Sequence, residues 1–146
     1  MQAKETLPVT GSLWIKVHDS EGRLKLVRFL DNLVVTVGKN FIASRMTATP
    51  TAMSHMGVGT SATAADVADT TLGAEAARVA LTSSNTTGNI ATYAATFPAG
   101  TGTGALTEAG IFNAASAGVL LCRTVFSVVN KGASDSMTVT WTVTVG

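Results

Sequence analysis

The chain has 146 residues, 46% of them apolar and only 13% charged, with ten basic groups, nine acidic groups and a net charge of +1. That is the size of one domain around one core, and the apolar share excludes disorder driven by high charge and low hydropathy. Charge is about half the usual quarter, its place taken by 23 Thr, 22 Ala and 14 Gly, so no global field gathers nucleic acid or anionic membrane and neither is an expected partner.

In chain order, Met1–Ser12 mixes Lys4, Glu5 and Pro8 and reads as an N-terminal arm. It is not a basic-then-apolar leader, and no apolar run approaches the roughly 18–20 residues that cross a bilayer. A soluble chain without a signal peptide is expected. Residues 13–146 read as a single β-domain.

Leu13, Ile15 and Val17 alternate with Trp14, Lys16 and His18, the period of a strand with one buried face. Asp19-Ser20-Glu21-Gly22 is turn chemistry, and Arg23–Leu30 resumes an extended pattern, so the two runs predict a hairpin. From Val37 to Met46 the period changes: Val37, Phe41, Ile42 and Met46 recur at helical spacing, with Gly38 a weak point. Pro50 stops that helix.

Ser54–Thr60 predicts a short strand, and the Ala/Thr/Asp-rich stretch 61–76 a loop with a helical turn near Ala64–Ala68. Strands follow at Arg78–Ser83, Gly88–Phe97, Leu106–Asn113 and Val119–Phe126. The loops between them are Ser84–Gly88, Pro98–Gly104 and Ala114–Gly118, with a turn at Asn130–Gly132. Thr138–Val145 alternates without a break, Val139, Trp141, Val143 and Val145 against four threonines. About eight strands and one short helix predict an all-β fold, an antiparallel jelly-roll-like β-sandwich, since a parallel α/β fold needs a helix after nearly every strand.

Residues suited to catalysis are sparse. His18 and His55 have no Cys or acid at ligand spacing, and Asp66, Asp69 and Glu75 supply too few oxygens for a calcium loop and read as solvated. Gly57-Val58-Gly59 and Gly100–Gly104 lack the Lys or third Gly of a phosphate cradle, and no Gly-x-Ser-x-Gly elbow occurs. Cys122, the single cysteine, lies in an apolar run and reads as a small buried hydrophobe. No catalytic, cofactor or metal site is expected, and the protein is not expected to be an enzyme.

Distribution of charge says more than its sum. Residues 1–45 hold seven basic and four acidic groups, whereas the 44 residues between Arg78 and Arg123 hold only Glu108. Exposed positions normally carry charge, and interface cores are depleted in it. Faces of Thr, Ser and Ala thus read either as solvated β-surface or as surface covered by other subunits. The candidate partner-binding residues are Lys4, Arg23, Lys25 and Arg28 in the basic section, and Thr140 and Thr142 on the outward side of the last strand.

Several strings resemble small structural proteins of tailed bacteriophages: Asn32–Asn40, Met53–Thr60, Leu106–Asn113, Cys122–Phe126 and the closing Thr-Val-Thr-Trp-Thr-Val-Thr tract. The resemblance runs from about residue 30 to the C-terminus. It implies a capsid cement or decoration protein with a jelly-roll-like sandwich, carried on the capsid exterior of the virion and made in the host bacterial cytoplasm. Its implied partners are the major capsid protein and itself, as a homo-oligomer and most simply a dimer. Related strings in tail-fibre and baseplate proteins leave a fibre, collar or baseplate component open. A receptor- or sugar-binding module is open too, with Trp14, Tyr93 and Trp141 as its candidate aromatics, of which Trp141 belongs to the buried face.

Overall fold

A computed structural model describes residues 3–146; Met1 and Gln2 of the arm lie outside the described residues. The elements are β1 (Val9–His18), β2 (Leu24–Val34), α1 (Thr36–Ser44), β3 (His55–Gly59), β4 (Glu75–Ala80), β5 (Ser83–Thr87), β6 (Ile90–Phe97), β7 (Gly104–Phe112), β8 (Leu120–Lys131) and β9 (Ser136–Val145). They form one antiparallel sheet in the order β4-β3-β7-β8-β2-β1-β9-β6-β5, curled into a half-barrel. The all-β antiparallel architecture and the single helix agree with the sequence reading.

Long β2 is the hinge of the curl. Its first part pairs with β1 from Leu24↔His18 to Asn32↔Gly11, while Leu33 and Val34 pair with Arg123 and Cys122 of β8. The two halves of the sheet face each other across the core. Leu13, Ile15 and Val17 of β1, Val139, Trp141 and Val143 of β9, and Phe97 of β6 meet Met56, Val58, Ala109, Ile111 and Cys122 from the other half. Full burial of each large apolar side chain is worth about 1.5–3 kcal/mol. The register shift between Leu106 and Glu108 reverses the phase of β7, so that Leu106, Ala109 and Ile111 all point into this core.

The same shift sends Glu108, Gly110 and Phe112 to the opposite face. There Phe112, Leu120, Leu72 and Val35 make a second, smaller cluster. Helix α1 lies against β8, where Gly38 meets the Leu121 carbonyl so closely that a methyl group would collide with it. No helix among the described residues is long and apolar enough to cross a membrane.

Several boundaries differ from the sequence reading, among them the end of β2, which runs past Leu30 to Val34. β1 begins at Val9, inside the predicted arm, because Val9–Ser12 pair with Thr142–Val145 of β9. The predicted loop Ser84–Gly88 is instead edge strand β5 with its turn, which raises the count to nine strands among the described residues; its five residues are all exposed, so no alternation marks it. β4 starts at Glu75 rather than Arg78 because its first residues already pair with β3. β8 runs through Asn130 and Lys131, and the turn falls at Gly132–Asp135, where Asp135 accepts the Gly132 N–H at 2.8 Å.

Candidate functional site

Alternation on β1, β2, β9 and β6 points one set of side chains at the core and leaves the other on a broad outer face. The registers align that face in rows: Phe29–Trp14–Thr140–Ala94 at the centre, with Val27–Lys16–Thr138–Thr96 on one side and Asp31–Ser12–Thr142–Thr92 on the other. Lys16 and Asp31 are the only charged side chains in these rows. Trp14 and Phe29 pack ring to ring, centroids 4.8 Å apart and planes tilted by 49°. Both stay open to solvent, at 46% and 55%. Large aromatics exposed together in a charge-poor field make this face the candidate interaction surface.

Thr140 and Thr142 lie on this face, beside Trp14 and Ser12 respectively. The basic candidates do not gather there. Lys4 sits in the exposed arm before β1. Arg23 bonds Asp19 at 3.0 Å and Glu21 at 2.8 Å within the β1–β2 turn. Lys25 holds Asp135 at 2.7 Å. Arg28 shares the side of β2 that carries Leu26 and Leu30, and donates to the Ser127 carbonyl at 3.3 Å. Phe29 is not among the sequence candidates: a regular hairpin closed by a turn at 19–22 sets Trp14 opposite Val27, and only the register shift between Val17 and His18 brings Phe29 there.

Asp66, Asp69, Glu75 and His55 have local partners. Asp69 accepts from Arg123 at 2.9 Å and from the Asp66 N–H at 2.9 Å, and Asp66 caps Ala68 at 2.8 Å. Glu75 accepts two hydrogen bonds from Arg78, at 2.8 and 2.7 Å. The three acids are in contact with solvent, as the sequence reading has them, and Asp69 and Glu75 also anchor arginines. His55 Nδ1 lies 2.8 Å from the Ser54 hydroxyl, and no group of three or more potential metal ligands occurs among the described residues. Burial pushes the Cys122 thiol well above its ordinary range, which disfavours a thiolate nucleophile. Burial also lowers the Lys131 ammonium, opposed by nearby Asp135, and its Nζ donates to the Pro98 carbonyl at 2.9 Å.

Sequence reasoning missed the buried pair Glu108 and Arg123. Glu108 Oε2 accepts the N–H groups of Ser61 and Ala74 at 3.0 and 2.7 Å, and Oε1 accepts that of Gly73 at 2.8 Å. Arg123 donates to Oε1 at 3.1 Å and, through its other nitrogens, to Asp69 and to the carbonyls of Thr63 and Ala64. Together they strap residues 60–74 across the outside of β3, β7 and β8. Their role is architectural. The clue was Glu108 itself, the lone charge in a 44-residue neutral stretch. Set beside known protein families, curated proteins and solved structures, the chain matches none of them.

Proposed function

We propose that this chain is a structural virion protein of a tailed bacteriophage, a capsid cement or decoration protein that binds the outside of the major capsid shell and stabilises it by bridging subunits. One observation carries the reading: a four-strand outer face whose three aligned rows hold five threonines, Ser12, Ala94, Val27 and two exposed aromatics, with Lys16 and Asp31 the only charges in those rows. Such a face acts by area and needs no pocket or titrating group. Many copies, each with an interface of about 1,200–2,000 Å², add up through multivalency.

Self-contact, most simply dimeric, is assigned to this outer face, and contact with the major capsid protein to the basic section that contains Lys4, Arg23, Lys25 and Arg28. With this reading goes the finer fold description, the two halves of the curled sheet being the layers of a jelly-roll-like sandwich. On this reading the protein is not an enzyme and works on the capsid exterior. The exposed Trp14–Phe29 pair also favours a second reading, a receptor- or sugar-binding module, because an amphipathic ring exposed on a rigid strand suits such a ligand.

Imaging intact particles that carry this chain tests the proposal. Density for it at regular positions on the outer shell is expected, with lower occupancy for the double variant Thr140→Lys, Thr142→Lys. Density confined to the tail or its fibres overturns the cement reading in favour of a tail component.

A further inference from the structure

We propose that the outer face is a two-fold, self-complementary interface in which Trp14 of each copy seats in a hollow of the other. This deepens the self-association proposed above and rests on that reading of the face. Beside the projecting Trp14–Phe29 pair lies a hollow of about 510 Å³ lined by Trp14, Lys16, Leu24, Val27, Thr138 and Thr140. Knob and hollow are neighbours on one surface: the hollow lies between the knob's own row, which supplies Trp14 and Thr140, and the next row, which supplies Lys16, Val27 and Thr138.

A two-fold axis lying in the face between those rows exchanges them. It carries each knob onto the partner's hollow, so the contact closes after two copies and leaves nothing to propagate. The hollow also has the chemistry an indole wants. Its walls are apolar or hydroxylic, and its single charge is the Lys16 ammonium, which the negative face of the partner's indole attracts. No acid lines it to compete for that ammonium or repel the ring.

Area agrees. With strands about 4.8 Å apart and a rise of about 3.3 Å per residue, four strands of eight residues present a face of about 19 by 26 Å. The pair of copies then buries roughly 1,000 Å², the threshold for a specific contact. Aromatic residues in the centre of such a patch are the side chains that dominate its binding energy.

The full chain is tested by analytical ultracentrifugation over a hundredfold range of concentration, beside Trp14→Ala and Lys16→Glu. Both positions are exposed, and circular dichroism verifies that each variant keeps its fold. The wild-type chain is expected to dimerise, with a blue shift of tryptophan emission on association as Trp14 leaves water. Each variant is expected to dimerise at least tenfold more weakly, Lys16→Glu because its carboxylate opposes the ring. A wild-type chain monomeric throughout, or an oligomer that both variants leave intact, overturns the inference. A dimer sensitive to both variants on a chain that never binds capsids keeps the inference and removes the virion reading instead.

Discussion

The Glu108 carboxylate and the Arg123 guanidinium meet at 3.1 Å with 0% and 2% of their side chains exposed. Neither could be left there alone, because a buried charge without its partner is strongly destabilising. Arg123→Met is therefore expected to cost about 3–5 kcal/mol, read as a lower urea midpoint, and to open residues 60–74 to protease. Adding Glu108→Leu to it is not expected to restore stability, since the N–H groups of Ser61, Gly73 and Ala74 would then lose their shared acceptor. Recovery to wild-type stability in the double variant would mean that the strap holds by packing alone.

Arg78 straps the neighbouring segment in the same manner. It lies 3.6 Å over the Phe112 ring and donates to the carbonyls of Ala114 and Ala117 while Glu75 fixes its fork. Hydrogen bonds to charged groups are worth about 1.5–3 kcal/mol. Arg78→Lys keeps the charge but loses the planar fork and the stacking, so it is expected to recover less than half of the stability that Arg78→Ala loses. Full recovery in thermal melts would show that charge alone matters.

Where the sequence is periodic, the fold was legible in it. Val139, Trp141 and Val143 announced β9 and its buried face, and Leu13, Ile15 and Val17 announced β1. The failures have physical causes. β5 carries Ser83-Ser84-Asn85-Thr86-Thr87 on a sheet edge with no face to bury, so only the two-residue Gly88-Asn89 link before Ile90 betrayed a hairpin. On β7 the phase reversal between Leu106 and Glu108 defeats a strict period of two. The outer face was only half legible. Its threonines could be read from alternation, but the Trp14–Phe29 contact depends on register across a turn.

Gly38 looked like a weakness in the helix and is a requirement of its packing. A methyl group there would strike the Leu121 backbone carbonyl, which belongs to a strand and cannot yield as a side chain would. Alanine gains about 1 kcal/mol of helix propensity over glycine, whereas forced overpacking costs about 1–3 kcal/mol or more. Gly38→Ala is accordingly expected to lower the Tm, the reverse of the same change in an exposed helix. A raised Tm would show that α1 can lift from β8 without loss.

Acid should weaken the fold partly through the turn before β9. The Lys25 ammonium, bonded at 2.7 Å, and the Gly132 N–H hold the Asp135 carboxyl below its ordinary 3.8. Asp19 is lowered as well, chiefly by the Arg23 backbone N–H. Between the depressed folded value and the unfolded value, the unfolded chain binds more protons than the folded one, so stability rises with pH across that window. The contribution is present above about pH 4 and drains away as the pH falls through the folded pKa. Lys25→Met removes the largest cause of the Asp135 shift. Its Tm is expected to fall less than that of the wild type between pH 7 and about pH 2.5, and two parallel curves of Tm against pH would show that Asp135 is held by its turn alone.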